Sequence, residues 1–296
     1  MSKNSAIKRA PWIFLAPFLA LFTLTFLLPI CSALIQSFTR IQRSGVFGEL
    51  GTTVGFAGFE NYAAALGNQA FIASIGRVLL FGIVQVPVMI AAATVLALLL
   101  ESASARWPSL FRAAYFLPYG IPGVLATILW AFLYVPGLSP IVDIGAMFGL
   151  QLDFLGPQTV LWSIANITTW TFTGYNMLII VAQLKAIPPD VYEAAKIDGA
   201  GAWRTAFSVQ LPLIRPALVL TIVFSIIGTL QLFAEPQVLS TASTAIDNAY
   251  TPNLSAYNSA FNYQNYGEAA AQAVLIALVA FVLSFIFLRV TNRKEP

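Results

Sequence analysis

Residues 187–216 read IPPDVYEAAKIDGAGAWRTAFSVQLPLIRP. Pro188 and Pro189 cannot continue a preceding helix, and a proline suits the first turn of a new one. Asp190 then stands at the positive N-terminal end of that helix. Val191 to Ile197 is enough for two turns, and Gly199 and Gly201 offer the left-handed backbone that stops it. Ala202 to Val209 fits a second short helix, with Pro212 and Pro216 punctuating the chain beyond it. Two short helices at a sharp angle make a shape for docking into a groove on a partner. A linker held only by lipid headgroups has the same outline, and the local chemistry is compatible with both.

What lies on either side of this segment sets the fold class. No Asp, Glu, Lys or Arg occurs at 10–39, 78–100, 113–142, 154–184, 216–234 or 269–288. Each window holds a run of roughly 20 residues, the length of a membrane-crossing helix. The 296-residue chain is 58% hydrophobic and only 9% charged, with a mean hydropathy of +0.80. A soluble helical bundle needs charged outer faces, and these stretches have none. The reading is an all-α membrane protein, a single domain over 1–296. Its six spans lie at about 12–35, 76–100, 114–135, 160–184, 214–236 and 269–290, and the decisive loop, 186–213, falls between the fourth and fifth. The uncharged stretch 248–267 is too polar to span.

Charge also sorts by side. With six spans both termini share a side, and twelve of the fifteen Lys and Arg fall there. The opposite side has Arg40 and Arg43, with Arg77 at the mouth of the second span. The positive-inside rule places both termini in the cytoplasm. The net charge of +3 and pI near 9.0 therefore reflect topology rather than nucleic-acid binding. The one cysteine, Cys31, lies inside the first span, so no internal disulfide and no thiol metal cluster are expected. The residue before it is not small, as a lipoprotein signal requires. The apolar run is too long for a cleaved leader and lacks its cleavage site, so the first span is expected to stay.

Between the spans, the external segment 37–75 is glycine-rich, with Gly45, Gly48, Gly51, Gly55 and Gly58. It ends in Gly-Phe-Glu-Asn-Tyr62, which reads either as the start of a surface helix or as an ordinary loop. Pro87, Pro118 and Pro122 lie inside spans, where they mark either a kink near a pathway or simple packing.

Several functional classes fall away. There is no histidine, so histidine-based catalysis and histidine zinc sites are excluded. Gly-x-Ser-x-Gly and the Walker phosphate loop are absent. The spans lack the ionisable residues that proton-coupled carriers place in the membrane; sodium coupling through carbonyls stays open on that test.

The loop also carries a resemblance. Glu193-Ala194-Ala195, Asp198-Gly199-Ala200, Phe207, Leu211-Pro212 and Pro216 resemble the EAA loop of permease subunits of binding-protein-dependent ABC importers, with Val209 where that family often has Ile. The resemblance implies that the loop is a coupling helix seated in a cleft of a cytoplasmic ATPase. It makes Glu193, Ala194, Ala195, Asp198 and Gly199 coupling residues. It implies a second homologous permease, two ABC ATPase subunits that bind ATP and Mg, an extracytoplasmic solute-binding protein, and residence in the bacterial cytoplasmic membrane. The chain would then be no enzyme itself, and no cofactor or metal is expected in it.

Three further segments resemble the carbohydrate branch of that family, which includes the maltose and glycerol-phosphate importers. These are Tyr115-Phe-Leu-Pro-Tyr-Gly-Ile-Pro122, Trp170–Lys185 with Gly174-Tyr175-Asn176-Met177, and Tyr263 with Tyr266-Gly267-Glu-Ala-Ala-Ala271. The Gly-Gly-Pro common after the fifth span is missing, and Ser240–Asp247 takes its place. Sugar sites join aromatic faces to amide and hydroxyl partners. Candidates near the midplane are Asn166, Trp170, Tyr175, Asn176, Gln231 and Phe233; each is equally at home bridging helices or at an interface. Glu235 and Gln237, at the outer end of the fifth span, read as part of a gate or as water-facing residues.

Overall fold

Charge-free stretches become helices, and prolines decide where those helices change course. The computed structural model describes residues 3–43, 52–102 and 105–292. Four helices are long and apolar enough to cross a membrane: Pro11–Ser37, Gln69–Leu100, Arg215–Leu239 and Tyr266–Thr291, with mean hydropathies from 2.2 to 2.8. A fifth crossing is reached if one bent pair is counted as a span. Its contacts divide the chain into two compact units.

The first unit runs up to Gln69 and includes Ser255–Ala277. Helix α1 (Lys3–Phe22) continues into α2 (Leu28–Ser37) through a wide π turn at Thr23–Leu27. Pro29 has no N–H for the carbonyl four residues back, and its ring crowds that carbonyl. The ladder therefore slips to a wider turn just ahead of it. No residue of the most apolar stretch of this span is buried.

An antiparallel ribbon comes next, β1 (Thr39–Arg43) against β2 (Thr52–Phe56), with Thr39 opposite Phe56 and Arg43 opposite Thr52. The protein is mostly helical, and this ribbon is the departure from helix among the described residues. β-Branched Thr39, Ile41, Thr53 and Val54 suit extended backbone, and the ribbon's base is pinned from outside. Buried Asn61 donates through Nδ2 to the carbonyls of Ser37 and Thr39, both at 2.9 Å. Ser37 Oγ and Tyr62 Oη share a 2.7 Å hydrogen bond. Gly45, Gly48 and Gly51 lie outside the described residues.

Asn61 and Tyr62 belong to α3 (Glu60–Gly67), so the Gly-Phe-Glu-Asn-Tyr62 segment does begin a helix. A Cβ on Gly267 would overlap the Thr39 carbonyl and crowd the Asn61 amide, so only glycine lets the last helix approach this corner.

The second unit spans Ala70–Leu254 and resumes at Leu278. It holds most of α4 (Gln69–Leu100) and then α5 (Pro108–Phe116), which passes through a 3₁₀ turn at Leu117–Gly120. After it α6 (Gly123–Tyr134) leaves at 96°. The stretch 114–135 reads as one span with Pro118 and Pro122 marking either a kink or simple packing, and here it is broken. Ile121 is extended (φ −85°, ψ 126°), as a residue preceding proline is pushed to be, and Pro122 restarts the helix.

A short helix, α7 (Pro140–Met147), is N-capped by Ser139, whose Oγ accepts from the Val142 amide at 3.1 Å. Next comes α8 (Val160–Lys185), 26 residues and about 39 Å long, enough to cross a hydrocarbon core of about 30 Å. It is absent from the four strongly apolar helices because of its threonines and asparagines. Thr168 turns its hydroxyl back onto the Ile164 carbonyl, at 3.2 Å, which hides that polarity.

The loop comprises α9 (Pro189–Ile197) and a second helix assembled from α10 (Ala202–Thr205), a π turn at Ala206–Gln210 and α11 (Leu211–Leu213). The second helix thus runs four residues past the expected Val209. Pro212 sits two residues beyond its wide turn, as Pro29 does in the first span, and for the same reason. Then come α12 (Arg215–Leu230), α13 (Ala234–Leu239), α14 (Pro252–Phe261) and α15 (Tyr266–Asn292). The last two straddle the boundary between the units.

Buried apolar clusters hold the second unit: a small one at Val86, Met89 and Ile90 of α4 and two larger ones. One joins Phe81, Tyr134, Ile164, Ile167, Leu232 and Leu239. The other joins Ala93 and Ala97 of α4, Met177, Ile180, Val181 and Leu184 of α8, and Ile214. Small residues allow the close approach that membrane helices use. A Cβ on Gly174 of α8 would overlap the Tyr115 carbonyl oxygen.

Candidate coupling surface and translocation path

The loop is anchored on one side and bare on the other. Val191, Tyr192 and Leu211 pack against the Ala93–Leu184–Ile214 cluster, and Ala195 is buried. Tyr192 Oη donates to the Leu184 carbonyl at 3.4 Å and accepts from Gln210 Nε2 at 3.4 Å. One phenol thus ties α9 to the end of α8 and to the second loop helix.

The end of α9 closes with a Schellman motif. The Gly199 amide donates to the Lys196 carbonyl at 3.0 Å and the Ala200 amide to the Ala195 carbonyl at 2.9 Å, with Gly199 at φ +72°. Asp190 in the first turn and Lys196 in the last both complement the helix dipole.

The other face presents Glu193, Ala194, Asp198 and Gly199, all exposed. Beside them Ile197 is 86% exposed and Trp203 79%. The Trp203 indole stacks on the Phe207 ring at 5.8 Å, so the second helix offers a preformed aromatic ridge. Of the five expected coupling residues, four lie on this free face. Ala195 instead looks inward and sets the helix on its support. Trp203 belongs to this free face as well, and Tyr192 to the anchored side that supports it. Sequence reading passed over both, although each stands inside the motif segment.

The path candidates separate into groups. Tyr175 stacks on Tyr119 at 4.6 Å and 17°, and Tyr119 meets Phe172 edge-on at 5.9 Å. Trp170 meets Trp130 edge-on at 5.7 Å, and Trp130 lies 5.5 Å from Tyr134. Exposed Asn166 donates through Nδ2 to Tyr134 Oη at 2.8 Å. The structure therefore brings Asn166, Trp170 and Tyr175 of α8 against aromatic residues on both arms of the broken segment.

Asn176 is placed differently. It is buried, and Nδ2 donates to the Phe172 carbonyl at 3.1 Å and faces Met89 Sδ at 3.7 Å. It bridges α8 and α4, as Gln85 does with Thr169. Gln231 is exposed at the C-cap of α12, and Phe233 packs on the Tyr134–Leu239 cluster. Gln237 is exposed and Glu235 partly buried. Tyr119, Trp130 and Tyr134 were missed by sequence reading. The prolines around them were the available signal, since a broken span turns aromatic side chains toward its neighbour.

Residues 93–295 match the family described as the binding-protein-dependent transport system inner membrane component. The chain belongs to that permease family. Among its relatives is a lactose transport system permease protein of Rhizobium radiobacter. It is 32% identical over 295 residues, covering 96% of this chain and 94% of the relative. An sn-glycerol-3-phosphate transport system permease protein of Agrobacterium fabrum is 30% identical, covering 96% of each. In fold, the permease is similar to a chain of a bacterial ABC transporter that imports the acidic polysaccharide alginate. The TM-score is 0.83, with 19% identity and 99% of each chain covered. Like its relatives, this permease is a multi-pass membrane component of a transport system rather than an enzyme.

Proposed function

We propose that the permease crosses the cytoplasmic membrane six times, with α8 and the bent α5–α6 pair each counted as a crossing and both termini in the cytoplasm. It imports a sugar or oligosaccharide in a complex with a second permease, two ATPase subunits and an extracytoplasmic binding protein. ATP and Mg bind on the ATPases. Their closure moves the loop of residues 186–213, and the spans switch between inward- and outward-open states. Aromatic faces at Tyr119, Tyr175, Trp130 and Trp170, with the amide of Asn166, suit a substrate that offers C–H faces and hydroxyls.

The observation that carries the reading is the loop itself. A helix pinned by Tyr192 and Leu211 to the cluster between α4, α8 and α12 transmits a push as a rigid body. Its opposite face bears Glu193, Asp198, Trp203 and Phe207, and nothing among the described residues covers them.

The test is affinity purification of the tagged permease in mild detergent, wild type beside a Glu193→Ala, Gly199→Pro variant. Proline cannot adopt the φ of +72° at position 199. A Walker-type ATPase should accompany the wild type and be lost from the correctly inserted variant. An inserted wild type that retains no ATPase, under conditions preserving such complexes, sinks the proposal.

A further inference from the structure

Two long stretches of the chain carry charge of one sign. Residues 113–184 and 216–288 contain no Lys or Arg, but hold Asp143, Asp153, Glu235, Asp247 and Glu268. Asp153 and Asp247 accept local backbone amides, from Leu155 at 3.1 Å and Ala249 at 3.0 Å. Glu268 accepts from Asn265 Nδ2 at 2.8 Å.

Glu235 is placed otherwise. It opens α13, which packs along α6, and a Cβ on Gly123 would lie 4.0 Å from its Oε1. Gly123 is the first residue of α6 after the 96° break, and Pro122 gives that helix no capping side chain. The first amides of a helix and its dipole attract anions. In transporters with broken helices, such an end is where an anionic substrate group is received. Here a carboxyl group of the protein stands beside the first residue of α6. Among the described residues it has no ion-pair partner, since the bridges formed are Arg40–Glu60 and Arg112–Glu101. Arg77 is committed elsewhere, donating to the Tyr250 carbonyl at 2.7 Å.

Resting on the sugar-import reading, we propose that this path accepts uncharged glycans and rejects anionic ones, with Glu235 as the specificity-determining residue. The carboxyl group takes the helix end that an anion would need, and its lone pairs accept sugar hydroxyls. Residues 113–184 and 216–288 hold no guanidinium or ammonium, and the one in α4, Arg77, is committed to the Tyr250 carbonyl, which leaves an anionic group no free counter-charge there. Family likeness does not decide this point, because relatives handle lactose in one case and sn-glycerol-3-phosphate in another.

The experiment is uptake by the complete importer in proteoliposomes. The probes are neutral disaccharides, including lactose and cellobiose, against lactobionate, a glucuronate-containing disaccharide and sn-glycerol-3-phosphate. Rates are normalised to binding-protein occupancy measured separately. At least one neutral glycan should be transported, with anionic probes below about a tenth of its rate, and Glu235→Gln should raise the anionic-to-neutral ratio by about tenfold. An anionic probe carried by the wild type as fast as the best neutral one overturns the proposal. So does a ratio unchanged in a normally assembled Glu235→Gln importer. Transport of no glycan of either kind overturns the sugar reading itself, a separately recognisable result.

Discussion

Single atoms decide two features of this permease. At Gly174 there is no room for a methyl group, because a Cβ would overlap the Tyr115 carbonyl. Gly228, on α12, has nothing within 4 Å of a Cβ. Gly174→Ala should therefore cost about 3 kcal/mol of overpacking, whereas Gly228→Ala is neutral or slightly stabilising. Fluorescence-detected size exclusion after a temperature ramp would separate them; equal melting of the two variants would refute the close packing.

Outside the spans, burial pushes the Tyr250 phenol above its ordinary value, Arg77 draws it down and Asp247 adds to the rise. A raised value in the folded state means that the contribution is intact below about pH 10 and lost as pH climbs through the folded value. The wild type should lose stability in alkali, and Tyr250→Phe should flatten that decline. Parallel melting curves measured from pH 8 upward provide the check.

At the scale of elements, proline sets the phase of the loop. In Pro212→Ala an amide returns to position 212, and the wide turn at Ala206–Gln210 can close to a regular ladder. Removing one residue's worth of slack rotates the Trp203–Phe207 ridge by about 100° against Leu211 and Ile214. Insertion should persist, while transport-linked ATP hydrolysis falls by roughly tenfold, about 1.4 kcal/mol of coupling. Unchanged coupling would show that the phase is immaterial.

The same loop shows what a sequence discloses. Gly199 reads as a helix stop from its type alone, and it is the left-handed residue of a Schellman turn. The end of the second helix was misplaced because Pro212 acts on the hydrogen-bond ladder before it, not at its own position. Pro118 and Pro122 left a kink open as one reading of the third span, but hydropathy does not register direction, so the size of the break at Ile121 was not legible. The ribbon at Thr39–Phe56 was invisible for another reason: its strands are short, and Asn61, which holds them, comes later in the chain. Asn176 has the right chemistry for a sugar, but its burial against Met89 is a tertiary fact.

Across the whole molecule, the second unit is held by buried clusters, while the first span has an uncovered apolar stretch. Trp12, 68% exposed at the start of that span, has the place of an interfacial anchor. In a variant keeping Trp12 as its one tryptophan, lipids brominated near the headgroup should quench it more than lipids brominated at the chain ends. The reverse order would move the span's end out of the interface.

The bare first span also bears on how the protein is made. A segment of mean hydropathy 2.4 whose most apolar window is unburied among the described residues can leave the translocation channel as soon as the ribosome has extruded it. The later, more polar α8 must wait until α4 and α6 are there to shelter its hydroxyls and amides. Biogenesis then runs from a helix that lipid alone accepts to one that only its companions do.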